Sequence, residues 1–212
     1  MKYLKEYLIQ RLVEQFDGFK VNKRSLKLTK SSEEGDLVIQ LISELKEDYL
    51  QIFINYSILF KEVEEIRKEF FIGNNKEWKS WDTFTVKPSY IEGCEENSFN
   101  LTSKLDVDEF VMKLKEFLYD KGMLEFLELH SKKKNLKKFF ISNVSYFKGY
   151  NPIDYVTTLL ILTAMIQPEE FDSIKNYCEE YLKNSNMRTI KLFYPEMFNN
   201  LEIFVRTEYV NS

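Results

Sequence analysis

The sequence predicts an α+β protein in which an N-terminal helix and an antiparallel β-meander sheet precede an all-α C-terminal half. Three observations predict this class. Apolar residues recur at helical spacing over residues 1–15, alternate with polar residues at several places between 19 and 58, and return to helical spacing after 105. The predicted domains are an α+β sheet domain over 1–104 and a helical region over 105–212. The pattern leaves open whether the two pack as one compact unit.

The first predicted elements are a helix and a strand-like run. The helix ends before Gly18, because the apolar spacing stops there. Its apolar residues are Tyr3, Leu4, Tyr7, Leu8, Leu12 and Val13. A strand-like run follows from Phe19 to Thr29. Its alternation changes phase between Val21 and Leu26, which predicts a bulge or bend inside the run.

Two further strands complete the predicted meander. The run Leu37–Leu45 is apolar and β-branched, and it follows a turn-like segment at 31–36. The run Leu50–Ile58 alternates regularly between an apolar and a more polar face. The links between these runs are short. Short links favour antiparallel neighbours, because a parallel crossover needs a dozen residues or more.

The middle of the chain contains short elements separated by irregular segments. A charged helix is predicted between Phe60 and Phe70. The stretch 73–104 is mostly irregular and contains glycine, proline and both tryptophans. Within it, one strand is predicted through Thr83–Lys87 and another near Phe99–Leu101.

Helices are predicted from Asp106 onward. Asp106 and Glu109 have the spacing of an Asp variant of the capping box, and Gly122 suits the end of the helix that follows. Two more helices are predicted at about 123–130 and 136–147. Proline is favoured in the first turn of a helix. The later helices are therefore expected to begin at Pro152, Pro168 and Pro195.

Composition excludes several classes of function. The chain carries 30 basic and 34 acidic side chains, a net charge of −4, so nucleic acid is disfavoured as a partner. It has one histidine, and its two cysteines, Cys94 and Cys178, are far apart, which provides neither a zinc site nor a disulfide framework. No glycine-rich phosphate loop is present. We therefore predict no metal and no cofactor.

The same composition predicts where the protein works. No apolar signal core follows Met1, and the longest largely apolar stretch, Val156–Ile166, is about half the ~20 residues that a membrane span needs. These features predict a cytoplasmic protein that does not associate with membranes. The abundance of lysine, asparagine and isoleucine predicts a bacterial source of low GC content.

Two patterns resemble catalytic or nucleic-acid-binding sites but do not qualify as either. Asp36 followed by Glu44-Leu45-Lys46 matches the D…ExK pattern of metal-dependent nucleases. Eight steps along one strand at ~3.3 Å each would separate the two carboxylates by roughly 26 Å, too far for them to share an ion. The five lysines between 132 and 138 are expected to form the solvated start of a helix.

The distribution of charge is more informative than its sum. Residues 31–48 and 92–109 each contain six acids against one lysine, while 19–30 carry five basic residues and 131–148 carry six lysines. Large aromatic residues adjoin the second acidic block, and loop aromatics are enriched at protein interfaces. The predicted partner-binding residues are Trp78, Trp81, Tyr90, Glu92, Glu95 and Glu96. The alternative is that both tryptophans simply cover an edge of the sheet.

Three short segments of the N-terminal half resemble an uncharacterised bacterial family of immunity-like domains. They are Gly18-Phe19-Lys20, the strand Gly35–Leu41 and the strand Phe53–Ile58. The resemblance covers about 60 residues and leaves the C-terminal half unexplained. It implies a helix followed by a meander and a role beside a bacterial toxin. It provides no catalytic residues.

These observations favour a non-enzymatic, immunity-like interaction module that binds a basic protein partner. An acidic and aromatic surface would cover the basic surface of that partner. Two alternatives remain open at this stage. One is an enzyme with an acidic cleft, using acids such as Asp36, Glu44 or Glu92. The other is a structural subunit that buries its C-terminal apolar helices in an oligomer, and the sequence does not fix the oligomeric state.

Overall fold

The structure, a computed structural model, describes residues 2–71, 82–94, 96–147, 152–184 and 199–210. It confirms the α+β class, with an N-terminal helix, an antiparallel sheet and a helical C-terminal half. The strands are β1 (Lys20–Asn22), β2 (Lys27–Lys30), β3 (Asp36–Leu45), β4 (Leu50–Leu59), β5 (Phe84–Val86) and β6 (Ser98–Leu101). The helices are α1 (Lys2–Gln15), α2 (Lys61–Phe71), α3 (Lys104–Lys115), α4 (Met123–His130), α5 (Lys133–Ser142), α6 (Pro152–Ile166), α7 (Phe171–Lys183) and α8 (199–205).

The chain forms two compact units, and neither is continuous in sequence. The first, the sheet unit, consists of Met1–Leu59 and Asp82–Ser131. The second, the helical unit, consists of Phe60–Trp81 and Lys132–Ser212. The predicted domain boundary at 104/105 stays a prediction. The sheet unit continues past that point, because it includes α3 and α4.

The sheet is antiparallel throughout, as the short links predict. Its order is β1-β2-β3-β4-β5, and β6 also pairs with β4. The long β3–β4 hairpin aligns Asp36 with Leu59 and Leu45 with Leu50. The other edge of β4 is shared, because β5 pairs with Tyr56–Ile58 and β6 pairs with Leu50–Phe53. Strand β6 is thereby held at an edge of the sheet, directly before α3.

The predicted bulge or bend between Phe19 and Thr29 is a complete reversal of the chain. Strands β1 and β2 form a hairpin in which Val21 lies opposite Leu28. The Asn22 side chain accepts hydrogen bonds from the backbone N–H groups of Arg24 and Ser25, an Asx-type turn. Leu26 then adopts a left-handed backbone with φ of 51° while its side chain is buried. The change of phase in the sequence therefore marks a turn.

The start of α3 also differs from the prediction. The N-cap is Ser103, and Asp106 occupies the third helical position rather than the cap. The Asp106 carboxylate accepts hydrogen bonds from the Thr102 hydroxyl and from the backbone N–H groups of Thr102 and Ser103, at 2.6, 2.7 and 3.0 Å. These bonds, the one from the Thr102 hydroxyl above all, lower the pKa of Asp106 to about 2. The box is therefore Ser103 with Asp106, and Glu109 takes no part in it.

The helical unit is built around α6. Eleven of the fifteen residues of α6 are buried, so the helix is covered on every side. Pro152 opens it and Pro168 opens the 3₁₀ turn before α7, as predicted, whereas Pro195 lies outside the described residues. The predicted helix at 136–147 is α5 followed by a 3₁₀ turn at Val144–Phe147. Among the described helices, none combines the length and the apolar character that a membrane crossing requires.

Candidate functional site

A groove of about 400 Å³ lies in the sheet unit between strand β6 and helix α3. Its lining is mainly polar and charged. The charged residues are Glu96, Asp106, Glu109 and Lys113, and the two aromatic residues are Phe99 and Phe110. We call this site the β6–α3 groove. It combines an edge of the sheet with one face of a helix.

Two phenylalanines fix the spacing of the groove walls. Phe99 on β6 lies opposite Ile52 of β4, and its ring meets the ring of Phe110 edge-to-face, with 5.0 Å between the ring centroids. Phe110 is buried, because it lies on the inner face of α3 with Val107, Val111 and Leu114. The Lys113 ammonium lies 5.5 Å from the centroid of the Phe99 ring. The aromatic pair therefore packs α3 against β6 at the base of the groove.

The charges in the groove are predominantly negative, with three carboxylates against one ammonium. Lys113 forms an ion pair with Glu96. Asp106 is ionised and committed to the capping box. Glu109 is exposed, and within the described ranges no ion pair reaches it. The negative charge of Glu109 is therefore the one most available to an incoming cation.

Apolar side chains flank the groove on α3. Leu105 is 66% exposed and Met112 is 69% exposed. They lie four residues before and three residues after Glu109, so all three project from one face of the helix. Leu105 and Met112 therefore keep most of their apolar surface in contact with solvent. They provide apolar contact area beside an available carboxylate.

The structure describes three of the six predicted partner-binding residues. Trp78, Trp81 and Glu95 lie outside the described residues. Tyr90 ends a 3₁₀ turn, is 43% exposed and meets Phe126 edge-to-face at 5.4 Å between ring centroids. Glu92 is exposed in the following turn, and Glu96 lines the groove. The predicted surface as a whole stays a prediction.

Sequence reasoning missed the contribution of α3 to this site. Asp106 and Glu109 belong to the acidic block at 92–109, so the block itself was the available signal. The acidic block begins before β6 and ends in the first turns of α3. The fold brings the two ends of the block to opposite walls of one groove. Lys113 and Met112 lie beyond the block and had no distinguishing pattern.

The acids weighed for an enzyme do not come together. Asp36 and Glu44 occupy opposite ends of β3, opposite Leu59 and Gln51 of β4. Glu92 lies in a separate turn. Across the part of the chain that the structure describes, no three His, Cys, Asp or Glu side chains are grouped so that they could hold a metal ion. Both cysteines are buried, and burial raises the pKa of the Cys178 thiol.

The lysine cluster forms the start of α5, as the sequence predicts, and Lys132, Lys134 and Lys138 are exposed there, but Lys137 is buried. Lys137 is only 2% exposed, and its ammonium donates to Glu170 at 2.6 Å and to Gln167 at 2.9 Å. Lys133 forms an ion pair with Glu62. Lys137 therefore serves as an internal cation of the helical unit, and it is not available to a phosphate group.

His130 provides a pH-dependent prediction. The imidazole is largely buried, packs against Phe126 and donates from Nδ1 to the Phe126 carbonyl at 2.8 Å. Burial lowers the pKa of His130 below 6.5, against the opposing effect of that hydrogen bond. Between the folded and the unfolded pKa the unfolded chain binds more protons. The free energy of unfolding therefore falls as the pH drops from 6.5 through the folded pKa. A proton NMR titration of this single histidine measures the shift directly.

The His130→Gln variant is the control for this titration. It removes the ionisable group, so the part of the pH dependence of stability that His130 contributes in that window should be lost. A measured pKa of His130 at or above 6.5 would contradict the burial described here.

Comparisons with known proteins provide no relative. No family model matches the chain, and no curated protein or solved structure matches it significantly. The resemblance to immunity-like domains therefore stays a prediction.

Proposed function

We propose that this protein is a non-enzymatic interaction module that binds a basic protein partner in the β6–α3 groove, in the manner of an immunity protein. The observation that carries the proposal is the excess of carboxylates in a preformed groove, with Glu109 unpaired within the described residues. Burial of a carboxylate without a cation is costly. The groove therefore favours an occupant that brings positive charge.

The surroundings of Glu109 support binding through a combined contact. Leu105 and Met112 offer apolar area on either side of the carboxylate. A partner that covers both would remove water from around Glu109, which strengthens its pairing with an incoming cation. Acidic groups at the rim would also steer a basic partner and raise the association rate.

The engagement of the groove's acids supports binding over catalysis. A general acid at neutral pH needs a raised pKa, whereas the pKa of Asp106 is lowered to about 2. Glu96 is held by Lys113. The groove thus presents fixed negative charge rather than a proton donor.

The proposed setting is the bacterial cytoplasm, where the partner would be a basic protein such as a toxin that acts on nucleic acid. Binding would cover the basic surface of that protein and block its access to phosphates. The composition of the chain and the charge of the groove support this proposed setting.

The test is a charge reversal in the groove. In the Glu96→Lys, Glu109→Lys double variant, we expect binding of a fluorescent octa-arginine peptide to weaken by at least about tenfold, because two negative charges that line the groove become positive. Fluorescence anisotropy at low salt measures the affinity. The difference should shrink as salt rises from about 50 mM to about 500 mM, because screening shortens the range of the interaction.

The matched control is Glu47→Lys with Asp48→Lys in the β3–β4 turn. Both residues are exposed and belong to the sheet unit, and the change in net charge is identical. We expect this variant to lose far less affinity. Equal losses in the two double variants would mean that the peptide senses only net charge, and the proposal would fail.

A further inference from the structure

We infer that the partner's docking segment is an extended, basic stretch of chain that adds as a strand to the open edge of β6. This inference rests on the proposed function and deepens it, since it specifies the form in which the basic partner enters the groove. Three observations support it: which backbone groups of β6 face away from β4, the length of the open edge of β6, and the positions of the carboxylates in the β6–α3 groove.

The pairing of β6 with β4 determines which backbone groups of β6 face outward. The N–H of Ile54 donates to the carbonyl of Asn97 at 2.9 Å, so Asn97 and Ile54 form a hydrogen-bonded pair. Hydrogen-bonded and non-bonded pairs alternate along an antiparallel ladder. Phe99 and Leu101 therefore also point their backbone groups toward β4. Ser98 and Asn100 point theirs away from it.

The outward groups of β6 form an open edge. Within the described ranges, no hydrogen bond reaches the backbone N–H or C=O of Ser98 or Asn100 from outside the strand. Both residues line the β6–α3 groove. An unpaired edge of this kind is a template for an added strand. The two residues offer two donors and two acceptors to an incoming backbone.

The dimensions and charges of the groove select the occupant. Four strand residues at ~3.3 Å each make an edge of about 13 Å, which matches four residues of an extended peptide. Alternate side chains of such a peptide would point to one side, toward α3. Glu109 and Glu96 line that side, with Met112 beside them. A segment with a basic residue at every second position, facing α3, therefore satisfies both the edge and the acids.

Amide hydrogen exchange, resolved by NMR, tests this inference in the full chain. The probe is an acetylated peptide of alternating arginine and valine. At a peptide concentration about ten times its Kd, we expect exchange at Ser98 and Asn100 to slow by about tenfold. The amides of Phe99 and Leu101 already bond to β4 and should change little. The alternating pattern along one short strand is the internal control.

Substitutions provide a second measurement. Asn100→Pro removes the outward N–H and leaves the bonds to β4 intact, and proline is tolerated on edge strands. We expect it to weaken binding of the alternating peptide about fivefold relative to Asn100→Ala, which removes only the side chain. A charge-matched peptide with prolines in place of the valines should bind wild-type protein weakly.

The outcomes separate the inference from the proposed function. Protection of Ser98 and Asn100 on binding supports both. Binding that depends on Glu96 and Glu109 but leaves the exchange at Ser98 and Asn100 unchanged overturns strand addition and leaves the proposed function standing. If neither the alternating peptide nor octa-arginine binds, both are overturned.

Discussion

Replacing Arg67 by leucine is expected to lower the free energy of unfolding of the helical unit by about 3–5 kcal/mol. The guanidinium is only 2% exposed, and it donates to Glu64 at 2.9 Å and to Asp154 at 2.6 Å. Glu64 is itself buried. Without Arg67, the carboxylates of Glu64 and Asp154 lose the guanidinium that they share in a poorly hydrated site. Urea denaturation followed by far-UV circular dichroism measures the loss.

The loss should depend on pH. Burial raises the pKa of Asp154 above 3.8, and Arg67 opposes that rise. Without Arg67 the folded pKa rises further, so the folded state binds more protons than the unfolded chain over a wider window. Stability then falls as the pH rises through that window. We therefore expect the deficit of Arg67→Leu to be largest near neutral pH and smaller in acid.

The matched control is Arg11→Leu in the sheet unit. Arg11 also contacts two carboxylates, those of Asp108 and Glu14, but its side chain is 27% exposed. Solvent screens such pairs, so the loss should be far smaller and nearly independent of pH in the same range. Equal losses for the two arginines would contradict the buried setting of Arg67.

Replacing Leu159 by alanine is expected to cost about 2–5 kcal/mol of stability. Leu159 is fully buried near the middle of α6, a helix whose neighbours cover it on every side. The truncation removes apolar contacts and leaves a cavity that rigid neighbours fill only in part. Thermal and urea denaturation of the full chain measure the loss.

Ile166→Ala is the control for this truncation. Ile166 ends the same helix and is only half-buried, so a smaller loss is expected. If the two truncations cost the same, α6 is not the centre of the helical unit's core.

Local patterns predicted most of the sheet. Apolar residues at every second position of β4 are buried where the alternation places them. The reversal between β1 and β2 was missed, because Leu26 is not a residue that commonly adopts a positive φ. Burial of the Leu26 side chain offsets the conformational cost of the positive φ. Burial depends on tertiary contacts, which no local pattern reveals.

The N-cap of α3 also could not be predicted from local sequence spacing. The spacing of Asp106 and Glu109 predicts a cap at Asp106, although Ser103 also has an acidic residue, Asp106, three positions on. The structure selects Ser103, which lets the Asp106 carboxylate satisfy the N–H groups of Thr102 and Ser103. The cap that satisfies more backbone N–H donors is the one that forms. The spacing of residues in the sequence does not show how many donors each cap would satisfy.

The candidate site was predicted only as an acidic block. Which acids are already paired depends on residues distant in sequence, such as Lys113 with Glu96. The same holds for Lys137, whose partner Glu170 lies on a separate turn of helix. The sequence shows the charge of a segment, whereas the fold determines whether that charge is available to a partner.

The most direct test of the proposed function is a reversal of peptide preference. Anisotropy titrations at low salt compare octa-arginine with octa-glutamate for the wild-type protein, for the Glu96→Lys, Glu109→Lys variant and for the Glu47→Lys, Asp48→Lys control. We expect the wild type and the control to prefer octa-arginine and the groove variant to prefer octa-glutamate. An unchanged preference in the groove variant would contradict the assignment of the β6–α3 groove as the site for a basic partner.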